Sequence, residues 1–360
     1  MRPPVCRHGG AIQAAAERLG VPPSRLLDAS ASLVPWSPRL RGSWLSHGLR
    51  HYPDREHTLL CDQLSALHGV APGFVLPGNG AAELFTWAAR DAASAGASVV
   101  PSPGFADYNR ALACWNARRT AQPLSLDWSD CFPQPLAPMR QGDVLWICNP
   151  HNPTGQLWSR QSLEPLLARY RLVICDEAFL SLVPEGEEQS LIPLMADHPN
   201  LVVIRSLTKL YGIAGLRLGY AVAQPERLAR WAAWRDPWPV NGLASAAAAQ
   251  LLASPQRYQR WCRKAQQWVA REGAWLHHQL LQLPGITPMP SAVNFLLIRA
   301  ERSLVPLREA VEQRHHILLR DCRSFEGLGE CWLRIGLQSR ANNRRIVRAL
   351  RQELERQPLL

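Results

Sequence analysis

An α/β fold is predicted for this 360-residue chain, with a mostly parallel sheet flanked by helices and a smaller α+β unit at the C-terminal end. Three observations predict it. Strand-like and helical segments alternate through the middle of the chain. The strand-like segments are continuous apolar runs, such as Leu172-Val173-Ile174-Cys175 and Leu201-Val202-Val203-Ile204, as in strands covered on both faces. Beyond about residue 225 the pattern changes to long helices with two isolated strands.

Taken in order, residues 1–40 hold six prolines and one periodic segment, Ile12–Leu19, and read as an arm packed on the smaller unit or on a partner subunit. The large unit, 41–235, contains the strand signals Ala97–Pro101, Val144–Cys148, Leu172–Cys175 and Leu201–Ile204, with helical periodicity at Ala81–Ala93 and Ser159–Tyr170. The smaller unit, 236–360, follows the helix Pro225–Trp234. It holds a long helix at Gln256–Leu283, strands at Asn294–Arg299 and Cys331–Leu337, and a last helix at Asn342–Gln357.

Composition bounds the chemistry. Lys and Arg outnumber Asp and Glu by 40 to 29, a formal net charge of +11. The basic residues are scattered rather than clustered, which favours a solvated basic surface and an anionic small-molecule substrate over nucleic acid. The nine cysteines form no CxxC and lie partly in apolar runs, so neither a zinc site nor a disulfide framework is expected. Reduced thiols and the lack of an apolar leader fit a cytoplasmic protein. The longest uncharged run, 237–256, is too interrupted to cross a membrane.

Four motifs carry chemistry. Pro77-Gly78-Asn79-Gly80-Ala81-Ala82 follows a short strand and opens a helix, whose first amides can face an anion, a phosphate above all, although such a turn alone is often only a turn. Asn149-Pro150-His151-Asn152-Pro153-Thr154-Gly155 follows the strand Val144–Cys148. Its two Asn-Pro steps are expected to hold the backbone extended and aim Asn152 into the crevice at the strand ends. Asp176 ends an apolar strand, where it either pairs with a buried cation or caps a helix. Lys209, in Ser206-Leu207-Thr208-Lys209, stands eight residues before Arg217 in Gly215-Leu216-Arg217-Leu218-Gly219. It is either a solvated lysine or a partly desolvated amine beside a phosphate clamp.

The order and spacing of these motifs resemble the fold-type I pyridoxal-phosphate enzymes, the aspartate aminotransferase superfamily, over nearly the whole chain. The resemblance implies pyridoxal 5'-phosphate as cofactor, with Lys209 as the catalytic lysine that carries it. It implies that Asp176 pairs with the ring nitrogen, Asn152 with the phenolate oxygen, and Tyr108 with the ring face. Gly80, Ala81, Ala82, Ser206, Thr208 and Arg217 would hold the phosphate. Tyr52, in His51-Tyr52-Pro53-Asp54, would reach the cofactor of the neighbouring subunit in a homodimer. Arg334 would bind the substrate α-carboxylate. No metal is implied.

Within the superfamily two branches are closest, the histidinol-phosphate aminotransferases and the L-threonine-O-3-phosphate decarboxylases of cobalamin biosynthesis. The decarboxylases are favoured by His8-Gly9-Gly10, Leu27-Asp28-Ala29-Ser30-Ala31, the segment Pro103–Leu112, Trp238-Pro239-Val240-Asn241, and Phe179 where aminotransferases usually place a tyrosine. By that resemblance His8, Gly9, Asn152, Arg320 and Arg334 bind a phosphorylated amino acid. Ala11, Ser32, Val34 and Gln338 depart from the decarboxylase pattern at the substrate end.

Overall fold

The computed structural model describes residues 8–40 and 44–357. In chain order the strands are β1 Leu27–Asp28, β2 Val75–Asn79, β3 Ser98–Ser102, β4 Arg119–Pro123, β5 Val144–Cys148, β6 Leu172–Asp176, β7 Leu201–Ser206, β8 Leu218–Ala223, β9 Thr287–Pro288, β10 Phe295–Arg299, β11 Ile317–Leu318, β12 Arg320–Asp321 and β13 Trp332–Gly336. The helices are α1 Ile12–Leu19, α2 Trp44–Arg50, α3 Thr58–His68, α4 Gly80–Ala95, α5 Ala106–Ala113, α6 Arg160–Leu167, α7 Leu207–Tyr211, α8 Pro225–Trp234, α9 Gly242–Leu251, α10 Pro255–Leu280, α11 Val305–His315 and α12 Arg340–Arg356.

A seven-stranded sheet in the order β2-β8-β7-β6-β5-β3-β4 forms the centre. All neighbours pair in parallel except β8, which runs antiparallel to both β2 and β7. The apolar runs explain its two covered faces. Leu145, Ile147, Val173, Cys175 and Val203 point into one core, and Val144, Trp146, Leu172, Ile174 and Val202 into a second. Alternation along each strand therefore feeds two cores at once. The antiparallel strand has a consequence for the site. Because β8 runs backwards, its start lies at the edge where β6 and β7 end, and Arg217 immediately before it arrives there.

The C-terminal unit is a four-stranded sheet, β12-β13-β10-β9, packed against α10 and α12. The arm joins this unit. β1 pairs in parallel with β11, and Ala15, Ala16 and Leu26 pack on Leu318. Helix α9 lies beyond residue 235, yet it packs on α2 and α3 of the larger unit. There the backbones touch, since a Cβ on Gly242 would lie 2.3 Å from the Gly48 carbonyl oxygen. Among the described residues no helix is long and apolar enough to cross a membrane, and no disulfide or group of potential metal ligands is found.

Candidate active site

The carboxyl ends of β5, β6 and β7 and the start of α4 surround a cavity of about 180 Å³. Ligands of open α/β sheets bind at this edge because the strands end there and the loops diverge. Lys209, Asp176, Asn152, Ala81, Ala82, Ser206, Thr208, Arg217, His8, Gly9, Arg320 and Arg334 all line it.

An anion cradle occupies one end. The first amides of a helix have no partner within the helix, so those of the 16-residue α4 are available to a ligand. Gly80 opens α4 with φ +74°, and a Cβ on it would lie 2.5 Å from Arg217 Nη2. The glycine leaves the space in which the guanidinium sits. Arg217 is itself held in the left-handed region, at φ 58°, and among the described residues no carboxylate pairs with it. Gly219 plays the same part in β8, since its Cβ would lie 2.7 Å from the Ala81 nitrogen.

Asp176 is buried at the end of β6. Its Oδ1 accepts from the Ala178 amide at 2.9 Å and its Oδ2 from the Tyr108 hydroxyl at 2.6 Å. It orders its own turn through Ala178 without capping a helix, and its carboxylate faces the cavity with no ion pair among the described residues. Burial pushes its pKa up to about 6, against the opposing effect of the Tyr108 hydrogen bond. Lys209 is pushed the other way, down to about 8, by burial first and then by Arg334 and Arg217. Its Nζ lies 5.7 Å from the centre of the Phe179 ring.

The substrate end holds two buried guanidiniums. Arg334 donates to Asn152 Oδ1 and to the Ser30 carbonyl oxygen, while its Nε has no partner among the described residues. Burial and the nearby Arg320 lower its pKa to about 9. Arg320 donates to Ser324 Oγ at 2.6 Å and lies 4.8 Å from the Phe325 ring, which Arg334 approaches at 5.7 Å. His8 meets the Phe105 ring edge-on at 5.9 Å. Gly9 allows the arm to cross residue 30, for its Cβ would lie 2.2 Å from the Ser30 carbonyl oxygen. Asp28 orders this crossing by accepting from the Ser30 amide and hydroxyl.

Two expectations change. Of the two aromatic residues in this segment, Phe105 lines the cavity and Tyr108 does not, being buried against Asp176. Phe105 is the N-cap of α5, and Tyr108 lies nearly one turn on, rotated away from the opening. The Asn149–Gly155 segment is a closed loop rather than an extended one, with Gly155 N bonded to His151 O and His151 N to Gln156 O, both at 2.7 Å. Asn149 holds it to Trp158 through both side-chain atoms. Tyr52 is 79% exposed and away from its own chain's cavity, stacked on Trp238 at 4.4 Å.

Sequence reasoning passed over Phe325, Phe85 and Ala31 as lining residues. Phe325 sits in a loop with no periodic signal. Of the departures, Ser32 lines the cavity with a hydroxyl that has no partner among the described residues, Val34 is buried against the Lys209 backbone, and Gln338 bonds the Asp28 carbonyl. Ala11 lines a separate cleft between α1 and α11.

An amine with a depressed pKa, facing a buried carboxylate beside an anion cradle, defines a site for a phosphorylated cofactor that carries an aldehyde and a basic ring nitrogen. The chain belongs to the aminotransferase class I and II family, whose model matches residues 39–350. It is 36% identical over 362 residues to the threonine-phosphate decarboxylase of Salmonella typhimurium, covering 96% of each chain. It is 34% identical to the histidinol-phosphate aminotransferase of Symbiobacterium thermophilum, over 84% of this chain and 82% of that protein. The fold is shared with the histidinol-phosphate aminotransferase of Sinorhizobium meliloti, solved in complex with pyridoxal-5'-phosphate. There the TM-score is 0.79 at 21% identity, over 96% of this chain and 95% of that one.

Proposed function

We propose that this protein removes the carboxyl group of L-threonine O-3-phosphate, giving (R)-1-amino-2-propanol O-2-phosphate and carbon dioxide, in cobalamin biosynthesis. The observation that carries the reading is the pair of buried guanidiniums, Arg334 and Arg320, on one small cavity with His8 at its rim. Two desolvated cations flanking one space suit a short substrate with an anion at each end. The relative that is 36% identical over nearly its full length supports the same reading.

The cofactor is pyridoxal 5'-phosphate, and the cavity fits it. The space kept open by Gly80 for Arg217, the free amides of α4 and the hydroxyls of Ser206 and Thr208 would hold its phosphate, Asp176 its ring nitrogen, and Lys209 its aldehyde carbon. When bound, its ring withdraws electrons from the substrate Cα.

The chain's own residues supply the rest. Arg334, fixed by Asn152 and the Ser30 carbonyl, binds the carboxylate. Arg320 and His8 bind the phosphate, and together these contacts select which Cα bond stands across the ring plane. Phe105, Phe179 and Phe325 exclude water. The bond from Cα to the carboxyl carbon breaks, carbon dioxide leaves, and Lys209 Nζ delivers a proton to Cα. An amine with a pKa near 8 can both hold and release that proton near neutral pH.

The second reading is a histidinol-phosphate aminotransferase, favoured by the relative at 34% identity. Incubation with each substrate separates the two. Carbon dioxide from threonine phosphate without 2-oxoglutarate supports the first, and glutamate formed from histidinol phosphate and 2-oxoglutarate supports the second.

A further inference from the structure

Tyr108 has a hydroxyl and a place that packing alone does not require. Its ring is wedged among Phe85 at 5.1 Å, Trp146 at 5.3 Å and Phe105 at 5.6 Å, a setting a phenylalanine would fill equally well. Its hydroxyl nevertheless points along the end of β6 to Asp176 Oδ2, at 2.6 Å. A second donor on this carboxylate is the Ala178 amide on Oδ1. Cys148, paired with Asp176 across β5 and β6, lies 3.8 Å from the same Oδ2, but its thiol has a closer acceptor in the Pro150 carbonyl, at 3.2 Å.

The carboxylate is therefore held by neutral donors, two close and one distant, and among the described residues by no direct ion pair. Neutral donors stabilise the charge on Asp176 without cancelling it. A guanidinium in the same place would neutralise the carboxylate. An apolar neighbour would leave burial opposed only by the Ala178 amide, the Cys148 thiol and the Lys209 charge, and would shift the carboxyl toward its protonated form. A phenol lies between these limits, and burial raises the Tyr108 pKa so far that it remains a donor at any physiological pH.

We propose that Tyr108 is a positioning residue, whose hydroxyl keeps the Asp176 carboxylate ionised and aimed so that the cofactor ring nitrogen retains its proton. The proton is shared between the ring nitrogen and Asp176 according to their relative basicities. Removing the phenol raises the basicity of Asp176 and draws that proton off the ring, which then withdraws electrons from Cα less strongly. This role differs from the ring-facing role expected from the sequence; of the two residues it is Phe105 that lines the cavity. It rests on the cofactor and not on which substrate is turned over.

The test uses full-length protein loaded with pyridoxal phosphate carrying 15N at the ring nitrogen, with no substrate present. In the wild type the 15N resonance is expected at the protonated position. In Tyr108→Phe, which keeps the ring and its packing, it is expected to move toward the unprotonated position, with an unchanged near-ultraviolet circular dichroism spectrum of the apoprotein. A Tyr108→Phe resonance identical to the wild type's overturns the proposal, because a merely structural hydroxyl would leave the ring nitrogen untouched. A wild-type ring nitrogen without its proton overturns it as well, whether or not the variant folds. Neither outcome bears on whether carbon dioxide is released from threonine phosphate.

Discussion

Replacing Gly80 by alanine separates the stability of the fold from its hold on the cofactor. Gly80 sits at φ +74°, a region that costs an L-residue about 1–2 kcal/mol. The added Cβ would stand 2.5 Å from Arg217 Nη2 and 3.0 Å from its Cζ. The obstructing atoms belong to the end of a flexible side chain, so the guanidinium moves and the backbone stays. Folding is therefore expected to lose only the backbone term, about 1–2 kcal/mol. The cradle loses a charge-assisted contact to phosphate, worth about 1.5–3 kcal/mol, which weakens cofactor binding about ten- to hundredfold. The assay is titration of apoprotein with pyridoxal phosphate, followed by absorbance, beside a denaturant melt. Arg217→Ala is expected to weaken binding by a similar factor without the folding loss. The double variant is expected to bind no worse than the worse of the two singles. A Gly80→Ala protein that binds the cofactor as tightly as wild type would refute the role given to this glycine.

Other outcomes follow from the same geometry. Lys209 reacts as the free amine and its pKa is lowered to about 8, so the rate at which apoprotein takes up cofactor is expected to rise with pH through about 8 and then level off. Arg334→Gln removes a cation that lowers this pKa, and stopped-flow absorbance should show the midpoint moving to higher pH. Borohydride is expected to fix the cofactor to Lys209, and Lys209→Ala to lose both this labelling and nearly all turnover. Arg320→Ala is expected to cut kcat/KM for the phosphorylated substrate about ten- to hundredfold. We expect a homodimer in which the exposed Tyr52 serves the neighbouring site. A monodisperse, fully active monomer in light scattering would contradict that.

The frame of the large unit was legible because its strands are apolar on both faces, and the runs at 144–148, 172–175 and 201–204 stand out for that reason. The direction of β8 was not, since hydrophobicity carries no sign of chain direction, although that strand brings Arg217 to the site. Lys209, Asp176 and Asn152 were found from local motifs at strand ends. Tyr108 and Phe105 were not told apart, because two aromatic residues three apart at a helix start differ only in rotation about an axis whose placement the sequence does not give. Phe325 lies in an irregular loop and reaches the cavity only through the packing of the C-terminal unit. The loop 149–155 carried the right residues and the wrong shape, because its closure depends partly on hydrogen bonds to Gln156 and Trp158 just beyond the motif.

The central claim is that the two buried guanidiniums serve one short substrate that loses its carboxyl group. The most direct measurement is carbon dioxide release from L-threonine O-3-phosphate labelled at the carboxyl carbon, with loaded enzyme and no 2-oxo acid present. The account predicts release of the label over many turnovers, with 1-amino-2-propanol O-2-phosphate as the product and free threonine a poor substrate. Retention of the label, with glutamate formed from histidinol phosphate and 2-oxoglutarate by the same preparation, would contradict it.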